Sequence, residues 1–267
     1  MAYSGKIWSY PAKRLLLFLL LFFAVIGLLI VTDRSYQIWI NAADAIVAAG
    51  IGICLYLYLL KTKLDINLAL TGLICLLLVY SFVRSLVFAA GLEAVAKQMT
   101  DMYSQYLQRY SSFKPDAGRI TQVQNLFIRY QPAFWSSTQI TAAFFGLLLF
   151  NRLSILKLPV RQISLPGFLI YPLLAALGLS LYPQTKVWGI NLLISLMAAY
   201  LIQGTGVLSH FWSGVFARSR MLRTLFFITI IINYPVLALI SFIGVLDAWF
   251  DFRKIRNMED INESNTN

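Results

Sequence analysis

Long apolar stretches dominate the pattern of hydrophobic and polar positions along this chain of 267 residues. A helix needs about 20 mostly apolar residues to cross the hydrocarbon core of a bilayer. Seven stretches approach or exceed that length: Arg14–Val31, Ile38–Leu60, Ile66–Gly91, Pro132–Phe150, Gly167–Leu181, Val187–Leu208 and Thr224–Leu246. The pattern therefore predicts an all-α fold, namely a polytopic transmembrane bundle of about seven helices.

The segment Leu92–Gln131, between the third and fourth stretches, is amphipathic instead. Its apolar residues recur at the spacing of one helix face, and Lys114, Pro115 and Asp116 interrupt the pattern, so two helices are predicted. We expect the segment outside the cytoplasm, on the membrane surface or as a cap on the bundle. The alternative is a solvated connector. The apolar positions are Leu92, Val95, Met99, Met102, Tyr106, Tyr110 and Phe113, then Ile120, Val123, Phe127 and Tyr130.

The last apolar stretch contains Asn233 and Pro235. A proline removes a backbone donor and interrupts the hydrogen-bond ladder of a helix. This stretch is therefore the first suspect for failing to cross the membrane as one helix. For Asn233 we favour a local bond to backbone groups near the proline.

The composition supports a membrane protein, because 59% of the residues are hydrophobic and 12% are charged. A soluble domain carries about 25% charged residues. Most of the chain lies in the apolar stretches, which leaves no separate soluble domain. We expect residues 1–256 to form one integral membrane domain and the polar tail, residues 257–267, to be disordered.

The net charge of +11 does not indicate nucleic-acid binding, because the basic residues lie at the ends of apolar stretches. Such residues set topology and contact lipid headgroups. Alternate loops are poor in them, since the loops after the first and fifth stretches contain only Arg34 and Lys186. The amino terminus is thus expected in the cytoplasm, with the lipid bilayer as a partner. The flanking residues are Lys13, Arg14, Lys61, Lys63, Arg152, Lys157, Arg218, Arg220 and Arg223.

Two charged residues inside apolar stretches are the main candidates for function. Asp44 lies 19 residues before Lys63, where the chain is expected to turn, and Arg84 lies 21 residues after it. Antiparallel helices would place the two at nearly the same depth, so we predict that they pair. Gln139 and Asn191 are expected at a similar level, and the four residues could line a ligand-binding pocket. The alternative is a structural pair that fixes the register of one hairpin.

Motifs of soluble enzymes are missing from the sequence, which contains no P-loop, H-E-x-x-H or G-x-S-x-G pattern. Cys54 and Cys75 lack metal-ligand spacing, and His210 is the only histidine. We therefore expect no catalytic residues, no metal and no cofactor, and the protein is not expected to be an enzyme.

The carboxyl half, from about Gln131 to Arg256, resembles the YybS-like family of bacterial inner-membrane proteins of unknown function. The resemblance lies in Pro132–Arg152, Ile202–Trp212, Asn233–Pro235 and Gly244–Lys254. That family is distantly similar to the S components of energy-coupling-factor transporters. The resemblance implies a helical bundle that binds a small solute near its outer face and docks to a coupling membrane subunit with ATPases. The alternative is a structural, assembly or regulatory membrane protein without transport activity.

The end of the last apolar stretch combines aromatic and charged residues. Aromatic rings anchor helices at membrane interfaces, and opposite charges can pair at helical spacings. The pattern predicts a rigid interfacial end that serves as a partner-docking surface. Its candidate residues are Asp247, Trp249, Phe250, Asp251 and Arg253.

Overall fold

A computed structural model describes residues 36–52, 66–110, 117–153, 163–212 and 233–253, with the single positions 24, 27 and 221. The first apolar stretch, Arg14–Val31, falls outside these ranges except for Ala24 and Gly27. The predicted break at Lys114–Asp116 and the polar tail, residues 257–267, also lie outside the described residues.

Every regular element in the described ranges is helical, which confirms the predicted all-α class. The helices are α1 (Tyr36–Ala45) with a π-helical turn at Ile46–Ile51, α2 (Ile66–Val87), α3 (Ala89–Tyr110), α4 (Ala117–Leu153), α5 (Ile170–Leu181) after a 3₁₀ turn at Gly167–Leu169, α6 (Lys186–Phe211) and α7 (Tyr234–Phe250).

Two of the described helices are long and apolar enough to cross a membrane. They are the segment Asn67–Val87 in α2 and the whole of α6. The apolar helices at Ile38–Ala48, Gly167–Leu181 and Pro235–Phe250 are shorter. A bundle with seven crossings therefore stays a prediction.

Helix α4 is longer than the sequence pattern predicts. Its 37 residues continue through Pro132 and join the second amphipathic helix to the fourth apolar stretch. A proline inside a helix leaves a gap in the backbone hydrogen bonding. The next amide, that of Ala133, donates to the side-chain oxygen of Asn191 at 3.0 Å. A helix of this length extends for roughly 55 Å, more than the hydrocarbon core requires.

The last apolar stretch is interrupted at Asn233, so Thr224–Leu246 is not one continuous helix, which agrees with the break suspected from Pro235. Asn233 has extended dihedral angles, and α7 begins at the next residue. The Asn233 side chain accepts a hydrogen bond from the amide of Val236 at 3.4 Å, while Pro235 occupies the first turn. The polar side chain and the proline together mark the start of α7, as expected of an N-cap followed by a proline in the first turn.

The described chain divides into two compact units. The first contains α1, the end of α2, α3 and α4 as far as Pro132, and in it α1 contacts α3. The second contains the beginning of α2 and the described chain from Ala133 onward. In this second unit α6 packs against both α5 and α7.

Two glycines set the close approach of α6 and α7. A Cβ atom on Gly204 would overlap the carbonyl oxygen of Ile240, and one on Gly244 would overlap the carbonyl oxygen of Tyr200. Glycine at such a crossing lets two backbones come into direct contact.

The second unit has an unusual distribution of polarity. Large apolar side chains are exposed on α5 and α7, whereas several polar side chains are buried. The exposed ones include Tyr171, Leu174, Leu177, Leu181, Leu239 and Phe242. The buried polar ones include Thr71, Ser136, Asn191, Ser195, Gln203, Asp247 and Arg253.

Candidate functional site

An ion pair between α1 and α2 forms the first candidate site, here called the Asp44 centre. The Arg84 Nε atom donates to Asp44 Oδ1 at 2.6 Å, and the Tyr80 hydroxyl donates to the same oxygen at 3.0 Å. Tyr80 and Arg84 are four residues apart and therefore share one face of α2. The predicted pairing of Asp44 with Arg84 is confirmed.

The side chains of the Asp44 centre are mostly, but not completely, shielded from the surroundings of the protein. The side chain of Arg84 is 7% exposed and that of Asp44 is 16% exposed. Asp44 lies at the end of α1, and the helix continues directly into the π-helical turn Ile46–Ile51. Such turns are frequent at functional sites, because they change the direction of side chains on a helix. The Asp44 carboxylate is thus paired with the Arg84 guanidinium and is still partly accessible from outside the protein.

A second ion pair lies in the other unit and is called here the Asp247 centre. Arg253 donates to Asp247 Oδ2 from Nη2 at 2.7 Å and from Nε at 3.2 Å. The Gln203 Nε2 atom donates to the same oxygen at 2.8 Å. All three side chains are buried. Asp247 Oδ1 is also buried and has no hydrogen-bond partner among the described residues.

The backbone at the end of α7 brings Arg253 back to Asp247. Asp251 adopts a left-handed conformation with φ 42°, and its amide donates to the carbonyl oxygen of Asp247. This C-cap reverses the chain direction. Gly206 on α6 provides the space for the guanidinium, because a Cβ atom there would lie 2.9 Å from Arg253 Nη1.

The Asp247 centre also holds the segment Ile163–Leu165, which has no regular structure. Arg253 Nη2 donates to the carbonyl oxygen of Ile163 at 2.9 Å, and the amide of Leu165 donates to Gln203 Oε1 at 3.2 Å. Between them, the amide of Ser164 donates to Asn67 Oδ1 at 2.9 Å.

The side chains of Ile163 and Leu165 are fully buried. Non-helical backbone in such surroundings requires side-chain partners for its polar groups. The Asp247 centre and Asn67 supply those partners, so this centre organises the entry to α5.

Asp247 and Arg253 were predicted as part of a docking surface, and the structure places both inside the protein instead. They pair six residues apart across the left-handed turn, not at a helical spacing. Trp249 and Phe250 are exposed, and Asp251 is half-buried. The docking role stays a prediction for these three residues.

Asn191 joins α6 to α4. Its Oδ1 atom accepts from the amide of Ala133, and its Nδ2 atom donates to the carbonyl oxygen of Val187 at 2.9 Å. One turn further along α6, the hydroxyls of Ser195 and Ser136 lie 2.5 Å apart. These contacts give Asn191 a structural role beside the gap left by Pro132.

Gln139 is half-buried on α4, in the same unit as Asn191. Asp44 and Arg84 belong to the other unit. A pocket lined by all four residues therefore stays a prediction.

Sequence analysis did not identify Tyr80, Gln203 or the two serines as partners. Gln203 offered a signal, because an amide in the middle of an apolar stretch needs a buried partner. Within the described ranges, no three His, Cys, Asp or Glu residues come together as a group able to hold a metal ion.

Comparison with known proteins gave no relatives. No protein-family model matches the sequence, and no curated protein or solved structure matches it significantly.

Proposed function

We propose that this chain is an integral membrane protein of the bacterial inner membrane that binds a small polar solute as a transport-associated subunit. The distribution of polarity supports the membrane location. Exposed leucine and aromatic side chains on α5 and α7 are costly in water and favourable in lipid. Several buried polar side chains bond to one another, as with Ser136 and Ser195 and with Gln203 and Asp247, which is the arrangement that lipid surroundings favour.

The Asp44 centre is the observation that carries the solute-binding proposal. In this centre, Asp44 on α1 lies beside Arg84 and Tyr80 on α2. Both partners belong to the segment Asn67–Val87, one of the two described helices that are long and apolar enough to cross a membrane. Ionisable groups within a membrane are expensive and usually functional. Asp44 keeps 16% exposure, so a polar solute would reach its carboxylate without breaking the fold.

The energy for transport would come from partner proteins. The sequence has no P-loop, so a coupling subunit with ATPases would drive the movement of the solute. This arrangement follows the resemblance of the carboxyl half to the YybS-like family and, through it, to S components. The amino terminus would face the cytoplasm, following the distribution of basic residues.

A structural or assembly role is the alternative, and the Asp247 centre favours it. Its ion pair is fully buried. Hydrogen bonds from Arg253 and to Gln203 hold the segment Ile163–Leu165 against α6 and the end of α7. A chain whose polar residues all served such internal contacts would need no solute.

The first test is native mass spectrometry of the protein purified from its own membranes in mild detergent. We expect a small molecule that stays with the unmodified chain and is lost from Asp44→Asn, because the substitution removes the carboxylate charge but keeps the shape. Asp101→Asn is the matched control, since Asp101 is exposed on α3. A retained molecule unaffected by Asp44→Asn would contradict the proposed site.

The second test is identification of the proteins that purify with the chain. A stoichiometric membrane subunit and ATPases would support the transport role. Co-purification with cell-envelope assembly proteins, and no retained solute, would favour the structural alternative.

A further inference from the structure

Helices α6 and α7 run in the same direction through the second compact unit. A Cβ atom on Gly244 would overlap the carbonyl oxygen of Tyr200. Three residues further along both helices, Gln203 Nε2 donates to Asp247 Oδ2 at 2.8 Å. In an antiparallel pair, contacts advance along one helix as they retreat along the other. Here the contacts advance along both helices, which indicates a parallel pair.

Helix α5 shows the opposite pattern against α6. A Cβ atom on Gly189 would overlap the amide nitrogen of Ser180. Further along α6, Gln203 accepts a hydrogen bond from the amide of Leu165 at 3.2 Å. The partner on the side of α5 therefore moves back along the chain as α6 advances, as expected of two helices joined by a tight turn.

The position of Arg253, three residues beyond the end of α7, supports the parallel direction. Its Nη2 atom donates to the carbonyl oxygen of Ile163 at 2.9 Å. A Cβ atom on Gly206, five residues before the end of α6, would lie 2.9 Å from Arg253 Nη1. The chain that leaves α7 is thus near the end of α6, whereas an antiparallel α7 would carry it toward the beginning of α6.

Both helices end shortly after the contact between Gln203 and Asp247. Helix α6 continues for eight residues beyond this contact and α7 for three. At a rise of about 1.5 Å per residue, the two ends differ by roughly 8 Å in height. The exposed aromatic residues at these ends are called here the aromatic end, and they are Phe211, Trp212, Trp249, Phe250 and Phe252.

Another two aromatic residues lie at the opposite end of α6. Tyr182 and Trp188 are exposed at the turn between α5 and α6. Trp188 precedes Phe211 by 23 residues, which is roughly 35 Å along a helix. The hydrocarbon core of a bilayer is about 30 Å thick, and aromatic rings concentrate at both of its interfaces. The two sets of rings therefore have the spacing of two membrane interfaces.

The chain between α6 and α7 has to return along most of the length of α6. Helix α7 begins 13 residues before Asp247, so its start is level with Ile190, which lies 13 residues before Gln203. The connection, residues 213–232, lies outside the described residues, but the two helices fix where it starts and ends. Its 20 residues would rise by about 30 Å as a helix, enough to cover this distance.

We propose that the aromatic end lies in the headgroup layer of the cytoplasmic membrane interface and that the carboxyl-terminal tail is cytoplasmic. The proposal rests on the membrane location and the orientation proposed above. Six crossings from a cytoplasmic amino terminus bring the end of α6 to the cytoplasm, and a parallel α7 ends there too. The stretch Thr224–Leu246 then belongs to two passes that meet at Asn233, which adds one crossing to the predicted seven.

The distribution of basic residues agrees with this arrangement. The sequence has Arg218, Arg220 and Arg223 after α6, and Lys254 and Arg256 after α7. With a parallel α7, both groups follow helix ends on the cytoplasmic side, where basic residues are in excess. A single crossing over Thr224–Leu246 would instead carry the second group outside.

Cross-linking within one chain tests the direction of the helices in detergent. Cys54→Ser and Cys75→Ser remove the native thiols. Phe211→Cys with Phe250→Cys places thiols at the two ends, and Phe211→Cys with Asn233→Cys is the matched control. With a bifunctional maleimide much shorter than α7, we expect at least fivefold more internally linked monomer from the first pair. An equal or greater yield from the control pair would overturn the proposal.

Labelling with a membrane-impermeant maleimide tests the side of the tail. Gln184→Cys, Ser213→Cys and Ser264→Cys are compared singly in the cysteine-free chain. We expect Gln184→Cys, at the turn before α6, to react in right-side-out vesicles, and the other two to react in inverted vesicles. Reaction of Ser264→Cys in right-side-out vesicles would overturn the proposal.

A tag on the chain with its native cysteines keeps the test independent of the cysteine variants. An epitope added after Asn267 should be removed by protease in inverted vesicles and protected in right-side-out vesicles. The reverse result would overturn the proposal.

Carbonate extraction of the membranes separates this proposal from the membrane location on which it rests. Release of the unmodified chain would overturn both. Retention of the chain with a tail that is accessible in right-side-out vesicles would overturn the cytoplasmic tail alone.

Discussion

Arg253 binds Asp247 across a left-handed turn, although the two lie six residues apart and one is beyond the end of α7. The same guanidinium bonds the carbonyl oxygen of Ile163, which is 90 residues away in the chain. One side chain therefore fastens the end of α7 to the segment that precedes α5. Gln203 completes the connection from α6.

Loss of Arg253 should destabilise the protein strongly. Arg253→Met leaves the Asp247 carboxylate buried without a cation, which costs about 3–5 kcal/mol of unfolding free energy. Equilibrium unfolding in detergent measures the change. Lys97→Met, at an exposed cation, is the control and should change the free energy by less than about 0.5 kcal/mol.

The double variant Arg253→Met with Asp247→Leu tests the cause. Replacing a buried ion pair by apolar side chains is often close to neutral, so part of the lost stability should return, although the Ile163 carbonyl oxygen and Gln203 Nε2 stay without the partners they lose. A double variant less stable than Arg253→Met would show that the destabilisation does not come from an uncompensated charge.

The Asp44 centre should contribute less to stability than the Asp247 centre, because Asp44 is partly exposed. We expect a coupling free energy of about 1–2 kcal/mol between Asp44→Ala and Arg84→Ala in a double-mutant cycle. Tyr80→Phe removes one hydrogen bond to Asp44 and should cost about 1 kcal/mol. Additive effects of the two alanine substitutions would contradict a direct interaction.

Alanine at the crossing of α6 and α7 should force the helices apart. Gly204→Ala and Gly244→Ala each place a Cβ atom against a backbone carbonyl oxygen, which cannot move as a side chain can. We expect a loss of about 2–3 kcal/mol for each, measured by unfolding in detergent.

Gly178 on α5 provides the control, because no atom from outside its own turn of helix lies within 4 Å of the position of its Cβ. Gly178→Ala should be neutral or stabilise the helix by up to about 1 kcal/mol. Equal losses at Gly178 and Gly204 would rule out the close crossing as the cause.

The turn at Asp251 should tolerate glycine and reject a branched residue. Asp251 has φ 42°, a conformation that glycine adopts freely and valine adopts at high cost. We expect Asp251→Gly to change the unfolding free energy by less than about 1 kcal/mol and Asp251→Val to lower it by about 2 kcal/mol. A thermal melt of both variants measures this, and equal stability would argue against the left-handed turn.

Residue spacing alone predicted the Asp44–Arg84 pair. Both residues lie about 20 positions from the expected turn, and helices rise by a constant distance per residue. Counting along two helices therefore placed the charges at one depth without any knowledge of the fold. The proline in the last apolar stretch similarly indicated a break, and the structure places the start of α7 beside it.

Spacing could not predict the Asp247 centre. A periodic helix would pair residues three or four positions apart, whereas Arg253 reaches Asp247 only because Asp251 leaves the helical conformation. The partners Gln203 and Ile163 come from distant parts of the chain. Hydropathy also did not predict that α4 continues through Pro132, and it gave no sign that the next amide, that of Ala133, donates to Asn191 on another helix.

The sequence by itself determined the helical class and the position of most apolar stretches, because both follow from local periodicity and hydrophobicity. Tertiary structure decided which polar groups are buried together, such as Gln203 with Asp247 and Asn67 with Ser164. A buried polar group must find a partner wherever the packing brings one within hydrogen-bond distance, and that distance is independent of separation along the chain.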